Sequence, residues 1–368
     1  MPAVAFYISG HGFGHASRQI EVLNALAKRA PGVGLVLRTA VPRWLLDRTL
    51  NAPFVLLDTP CDTGVVQIDS LRLDPKATID AAREFYETFD RRVQDEAAFL
   101  AKHAVTLVIA DAPPLACAAA AAAGVPAFVI ANFTWDWIYE EYREDLPAAP
   151  NLIPTIRKAY RRANAAWRLP MHGGFASFDT VVDVPFIARH ARHERNETRA
   201  CFELPADRPV ALFSFGGYGV DGLNLERLDC LDRWTVLLTG DAGRGPLPAG
   251  VHLIEDDQIY ARGFRYEDLV HASDVVITKP GYGIVSECLA NGAAVVYTSR
   301  GRFAEYAVLV AAMPRFLRCA YIDHDDLFAG RWVRALDAAI GAPEPPERPT
   351  TDGAEVIAGL LAQHLVSA

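Results

Sequence analysis

Val4-Ala5-Phe6-Tyr7-Ile8-Ser9-Gly10-His11-Gly12-Phe13-Gly14-His15-Ala16-Ser17 reads as a strand, a glycine-rich turn and the start of an amphipathic helix running to about Arg29. A buried strand delivered through a short turn into a helix is the opening of a βαβ unit. The alternation continues outward. Val33–Arg38 and Phe54–Leu57 read as strands, and Thr78–Lys102 has helical spacing in Phe85, Phe89 and Val93. Leu107–Ala110 and Ala127–Ala131 then bracket an alanine-rich helix that ends at Ala123. The second half repeats the scheme, with strands at Val210–Ser214, Thr235–Thr239, Val251–Ile254, Asp274–Thr278 and Ala294–Thr298 and a helix over Tyr282–Ala290. This pattern predicts an α/β chain of two Rossmann-like domains facing each other across a cleft. Pro170, Gly173, Gly174 and Pro185 punctuate the segment between Trp167 and Arg195, giving expected domains over 1–180 and 181–345. A Pro-rich stretch, Ala342–Pro349, leads into a last helix within 346–368 that is expected to pack back across the cleft.

The 368 residues are 51% hydrophobic and 22% charged, the composition of a globular chain with a sizeable core. With 36 basic and 45 acidic residues the formal charge is −9, so no global field draws the protein to a phosphate backbone. Nucleic acid is therefore not an expected partner. Cys61, Cys117, Cys201, Cys230, Cys288 and Cys319 are scattered without a Cys-x-x-Cys pair, a usage that fits idle thiols in a reducing compartment. The first ten residues carry no basic n-region, and the apolar stretch Ala104–Ala131 is broken by Asp111, Pro113, Pro114, Gly124 and Pro126. Neither a signal peptide nor an integral membrane segment is expected, and the expected location is cytoplasmic.

Three loops carry the candidate chemistry. In the first, Gly10–His15, a dinucleotide fingerprint would place glycine where His15 stands and an acid at the end of the second strand, where Arg38 and Thr39 occur. NAD is disfavoured, and Arg38 leaves NADP open. The histidines stand at the ligand-binding end of the sheet, where a neutral imidazole takes a proton from a hydroxyl. His15 is the first choice for that base and His11 the second. Asp111, ending the strand Leu107–Ala110, emerges on the same edge and is placed to orient the imidazole, the alternative being a cap ahead of Pro113–Pro114. The second loop, Lys279-Pro280-Gly281-Tyr282-Gly283-Ile284-Val285-Ser286-Glu287, offers helix N-terminal amides to a pyrophosphate, a cation in Lys279, and a carboxylate in Glu287 for ribose hydroxyls. The third, Ser214–Gly219, adds Gly216 and Gly217. Each loop alone also fits a plain strand-to-helix turn; two in one domain point to a phosphate-bearing ligand.

The arrangement resembles the GT-B glycosyltransferases. Gly12-Phe13-Gly14-His15-Ala16-Ser17 is similar to the catalytic-histidine loop of plant-type UDP-sugar glycosyltransferases, and Lys279–Glu287 to the core of their donor signature. Lys279 stands where those enzymes usually have His, Tyr282 where they have Trp, and Gly283-Ile284 where they have Asn-Ser. A closer resemblance is to the N-terminal glycosyltransferase-like region of plant-type L-arabinokinases and stand-alone bacterial relatives. It is carried by Gly10–His15 with Arg18, Cys61–Gln67, Asp111-Ala112-Pro113-Pro114, Asn132–Tyr139 and Lys279–Glu287. The Ser/Gly-rich ATP loop of the kinase half is not in this sequence, so kinase activity is not implied.

The resemblance implies transfer of a sugar from a nucleotide diphosphate sugar, UDP-sugar first, to a hydroxyl acceptor on a small molecule or glycan. It implies inversion with His15 as base and Asp111 behind it, no cofactor, and no metal. The acidic runs Glu255–Asp257 and Asp323–Asp326 read as loop or helix-cap residues. Phe264 and Arg265 are candidates for packing on the donor base, and Glu305, beside Tyr306, for contacting the donor sugar. On the acceptor side Gly12, Phe13, Asp62, Gln67, Trp135 and Trp137 are candidates, with core packing an equal alternative for the aromatic residues. The exposed side of the Tyr-rich segment is a candidate homodimer face. Rival readings are a non-catalytic nucleotide-sugar sensor and, third, a GT-B epimerase, for which Asp111, Glu287 and Glu305 are the acidic set.

Overall fold

A computed structural model describes residues 2–216, 223–240 and 246–367. The strands of the first half are β1 (Ala3–Ile8), β2 (Gly34–Thr39), β3 (Phe54–Asp58), β4 (Val105–Asp111), β5 (Ala127–Phe133), β6 (Ala165–Gly173) and β7 (Val181–Asp183). They form a seven-stranded parallel sheet in the order β3-β2-β1-β4-β5-β6-β7. In the second half β8 (Val210–Ser214), β9 (Thr235–Thr239), β10 (Val251–Ile254), β11 (Val275–Thr278), β12 (Ala294–Tyr297) and β13 (Cys319–Tyr321) make a six-stranded parallel sheet in the order β10-β9-β8-β11-β12-β13.

The helices of the first half are α1 (Phe13–Arg29), α2 (Arg43–Thr49), α3 (Pro75–Glu87), α4 (Phe89–Lys102), α5 (Pro114–Ala123), α6 (Trp135–Glu140) and α7 (Leu152–Tyr160). Those of the second are α8 (Arg195–Cys201), α9 (Asp256–Ala261), α10 (Tyr266–Ala272), α11 (Tyr282–Asn291), α12 (Ala304–Phe316), α13 (His324–Ala329) and α14 (Val333–Gly341), followed by α15 (Gly353–Ser367). Helices on both faces explain why the central strands are apolar throughout and not alternating. On β1, Val4, Phe6 and Ile8 join one core and Ala5 and Tyr7 the other, because successive side chains point to opposite faces. α15 packs on α1 and places Ala354, Ile357, Ala358 and Leu361 in the core with Val4 and Phe6, so the chain closes on its first domain.

Each sheet reverses its strand order once, between β1 and β4 and between β8 and β11. Loops leaving the carboxyl ends of those strands diverge and leave a crevice, the usual ligand position in open α/β sheets. The Gly10–His15 loop and Asp111 flank the first crevice. Gly216 and Lys279 flank the second.

Three local expectations are corrected. Thr78–Lys102 is not one helix, because the chain breaks at Thr88, whose hydroxyl turns back to the Phe85 carbonyl at 3.2 Å. Strands β6, β7 and β13 were not legible: Pro170 lies inside β6, and the other two have three residues each. Since Val181–Asp183 pairs with Ala166–Arg168, the first sheet runs past residue 180. No helix among the described residues is long and apolar enough to cross a membrane.

Candidate active site at the domain cleft

His15 lies on the first turn of α1, which begins directly after Gly12; a φ of 79° at that glycine turns the chain out of β1. Asp111 ends β4. The two meet with His15 Nδ1 2.8 Å from Asp111 Oδ1. Arg18, one helical turn after His15, donates from Nε to Asp111 Oδ2 at 2.8 Å and from Nη2 to Oδ1. It also donates from Nη1 to Asn132 Oδ1, and the Asn132 amide donates to the Pro170 carbonyl at 2.6 Å. Burial pushes the Asp111 carboxyl up, but Arg18 and His15 outweigh it and hold the group down at about 2. An ionised Asp111 accepts the Nδ1 proton of His15 and leaves the Nε2 lone pair free. His15 Nε2 has no hydrogen bond among the described residues. The ring itself is nearly enclosed and stands edge-on to Phe133 at 5.5 Å.

His11 is placed differently. The amide of Gln67 lies 2.9 Å from its Nε2, and the Val65 N–H points at its Nδ1 at 3.4 Å. Gln67 Oε1 is buried with no other partner among the described residues, and with the amide turned toward His11 it accepts the Nε2 proton while Nδ1 accepts from Val65. Gly64 has φ 62°, and a Cβ there would stand 2.7 Å from His11 Nδ1, so the loop can close on the ring only with glycine. Burial first, then the charges of His15, Arg300 and Lys279, push the His11 imidazole down to about 3. It is a neutral ring with both nitrogens engaged, and the free imidazole nitrogen belongs to His15.

Two acceptor candidates also turn inward. Asp62 accepts from Ser9 Oγ at 3.1 Å and from Trp135 Nε1 at 2.9 Å. Burial raises its carboxyl to about 6, against those hydrogen bonds and the charge of His15. Trp135 is 1% exposed and stacks on Tyr139 at 5.5 Å. Trp137 lies so close to β6 that a Cβ on Gly173 would meet its ring at 2.3 Å. Of the two readings open for the aromatic residues, core packing is the one that holds for the Trp135 ring. Phe13, by contrast, is exposed, edge-on to Trp44 at 5.9 Å, beside the half-buried Gly12.

In the second domain Gly216 follows β8, and Gly217 lies outside the described residues. Gly281 precedes α11, whose N-terminus has no side-chain cap, so the N–H groups of Tyr282, Gly283 and Ile284 have no intrahelical acceptor. A Cβ built on Gly283 would stand 3.4 Å from Gly14 Cα, which puts this N-terminus against the His15 loop. The Lys279 ammonium has neither hydrogen bond nor ion pair among the described residues, and burial, then Arg300, push it down to about 7.

Glu287 is buried and ion-paired. Arg189 donates to its Oε1 from Nε at 2.7 Å and from Nη2 at 2.6 Å, and also reaches Glu267 at 3.3 Å. Burial nonetheless leaves the Glu287 carboxyl raised. Phe264 stacks on His193 at 4.0 Å, and Arg265 caps α10 from the position before it, its N–H held by Asp268 at 2.7 Å. Glu305 accepts from Arg300 Nη1 at 3.0 Å. Arg18 and Asn132 appeared in the sequence only as motif members, and Arg189 and Arg300 carried no role; each finds its partner through the fold. Among the described residues no cluster of His, Cys, Asp and Glu is arranged to hold a metal ion. Asp323 caps α13 through the Asp326 N–H at 2.7 Å.

Two parallel Rossmann-like sheets with crevices opposed across a cleft define the GT-B fold, and solved structures agree. The kitacinnamycin glycotransferase superposes with a TM-score of 0.65 at 18% identity, covering 99% of each chain. A UDP-glucosyltransferase of Polygonum tinctorium gives 0.63 at 14%, over 100% of this chain and 99% of that one. Phytolacca americana UGT2, in complex with UDP-2-fluoroglucose and pterostilbene, gives 0.59 at 13%, over 100% and 95%. No protein-family model matches the chain. In sequence it is 30% identical over 372 residues to L-arabinokinase of Arabidopsis thaliana, a match that takes in 98% of this chain and 34% of that protein. The chain thus spans about a third of the curated relative's length, and what it resembles is a glycosyltransferase-like region.

Proposed function

We propose that the protein is a glycosyltransferase that moves a sugar from a nucleotide diphosphate sugar, a UDP-sugar in the first instance, to a hydroxyl acceptor with inversion and without a metal. The observation that carries this reading is the His15–Asp111 pair, with Nε2 of His15 free, set against the uncapped N-terminus of α11. His15 Nε2 takes the acceptor proton as its oxygen attacks the anomeric carbon, and Asp111 stabilises the imidazolium that forms. The leaving diphosphate takes the amides of Tyr282, Gly283 and Ile284 and the charge of Lys279. The UDP-sugar complex of a GT-B neighbour supports the donor class.

A test is diphosphate release from a panel of nucleotide sugars with mixed hydroxyl acceptors. His15→Ala should lower kcat by about 100-fold or more while donor binding is kept. Equal turnover in the variant would refute the assignment. One observation favours a second reading, a nucleotide-sugar sensor: Arg18 already neutralises much of the Asp111 charge. Donor binding with no diphosphate release across all acceptors, unchanged by His15→Ala, would select the sensor.

A further inference from the structure

The chemistry above leaves unused a set of buried hydrogen-bond donors around Arg300. This residue lies just past β12 and is 7% exposed, its guanidinium 3.6 Å above the Phe303 ring. Nη1 serves Glu305 at 3.0 Å, while Nε is buried with no partner among the described residues. The hydroxyls of Tyr282 on α11 and of Tyr142 just past α6 are likewise buried and unpartnered. Lys279 makes no ion pair there. These groups feel one another's charge: Arg300 acts on Lys279, Tyr142 and Tyr282, and Glu305 acts on the same three. They come from both domains and meet at the α11 N-terminus: Tyr142 of the first domain lies in one core cluster with Tyr282, which opens α11, and Ala304, the neighbour of Glu305.

The chemistry of the spare atoms is one-sided. A guanidinium N–H and an ammonium donate only, and a tyrosine hydroxyl donates readily; the two carboxylates that act on Lys279, Glu305 and Asp69, are already paired with Arg300 and Arg72. Glu305 is the single carboxylate paired with Arg300, against two cations, Arg300 and Lys279. A cation buried with unused donors is costly unless an acceptor-rich partner completes it. A neutral sugar offers hydroxyls, which donate as much as they accept. A carboxylate or phosphate accepts only, and a planar guanidinium matches it.

We infer that the sugar bound in this cleft carries an anionic substituent of its own, beyond the diphosphate, and that Arg300 is the residue that selects it, with Tyr142 and Tyr282 donating beside it. The inference rests on the glycosyltransferase reading. Its ligand chemistry, a carboxylate or phosphate on a sugar ring, can come from the donor as a nucleotide-activated uronic acid or from the acceptor as an acidic sugar.

The experiment is calorimetric binding to wild type, Arg300→Gln, Arg300→Lys and Tyr282→Phe, with melting curves of each to establish folding. One arm uses UDP, dTDP and GDP, then UDP-glucose and UDP-galactose against UDP-glucuronate and UDP-galacturonate. The other adds glucuronate or glucose 6-phosphate against glucose to the protein saturated with the nucleoside diphosphate that binds. The expected result is a preference of about tenfold or more for an acidic ligand over its neutral counterpart, as one charge-assisted hydrogen bond provides. At pH 6, where Lys279 is charged, Arg300→Gln should abolish the preference without weakening nucleoside diphosphate binding; Arg300→Lys should keep part of the preference, and Tyr282→Phe should reduce it several-fold. Preference in the first arm puts the charge on the donor and in the second on the acceptor, and either supports the inference. Binding of a nucleoside diphosphate with no acidic preference in either arm overturns this inference alone. So does a preference that Arg300→Gln leaves intact, or an equal loss of nucleoside diphosphate binding in that variant. No binding of any nucleoside diphosphate overturns the donor reading and this inference with it.

Discussion

Replacing Asp111 by Asn tests the site at its most strongly coupled point. The carboxylate is fully buried, accepts from His15 Nδ1 at 2.8 Å and takes two hydrogen bonds from Arg18. Its carboxyl is held at about 2, against 3.8 for an ordinary aspartate. That depression corresponds to about 2.5 kcal/mol of native-state stability. Because the folded value is the lower one, the contribution is complete above about pH 4 and is lost only as pH falls toward 2. Removing the charge also strands the Arg18 guanidinium, and breaking a buried pair from one side typically costs ~3–5 kcal/mol. Asp111→Asn should therefore lose about 3 kcal/mol in urea denaturation at pH 7, and the same amount at pH 5.5. Catalysis should suffer separately. An Asn amide can donate to Nδ1 and hold the proton on Nε2, the wrong tautomer for a base, a change that costs about 10⁴ in kcat in catalytic triads. The assay pairs denaturation at the two pH values with diphosphate release. A stability gap that closes between pH 7 and 5.5 would show that Asp111 is not held ionised. Unchanged kcat would show that it does not set the tautomer of His15.

Further outcomes follow from the same geometry. His11 is held neutral with its folded value at about 3, below 6.5, so the unfolded chain takes up a proton first as pH falls. Stability should decline below pH 6.5 by about 1 kcal/mol per pH unit from this group, and His11→Gln should flatten that slope in urea titrations at pH 7 and 5. Lys279, near 7, should carry its charge at pH 6 and lose it by pH 8.5 in the free protein. Nucleoside diphosphate affinity should fall across that interval, and Lys279→Met should weaken binding at pH 6 and remove the pH dependence in calorimetry. Arg189 and Glu287 should couple by about 1–3 kcal/mol in a double-mutant cycle of stability, since removing Arg189 strands the buried Glu287 carboxylate while removing Glu287 leaves Arg189 with Glu267 alone. A coupling energy near zero would count against that pair.

The parts of the molecule legible from sequence are those fixed by neighbours along the chain. β1, β4 and β5 announce themselves as apolar runs because both faces of a parallel sheet are covered, and α5 as an alanine-rich helix ended by Gly124. The glycine loops are local too: a positive φ at Gly12 and the uncapped start of α11 depend on a few consecutive residues. From them the α/β class, the two Rossmann-like sheets and the meeting of His15 with Asp111 could be read. β6 was hidden by Pro170 and the break at Thr88 by a helical spacing that runs through it, since a single turn residue carries little periodic signal.

Everything that decides what these residues can do chemically depends on partners far away in the chain. Arg18 reaches Asp111 and Asn132 across 93 and 114 positions, and Arg189 reaches Glu287 across 98. His11 and His15 share one loop and one side-chain chemistry, and the return of the Gly64–Gln67 loop engages both nitrogens of the first while Nε2 of the second stays free among the described residues. Trp135 became core because its indole found Asp62. Local sequence determines backbone conformation through sterics that act over a few residues. Charge state, tautomer and accessibility are set by burial and by Coulomb neighbours, which exist only once the strands have been ordered and the two domains have closed on each other.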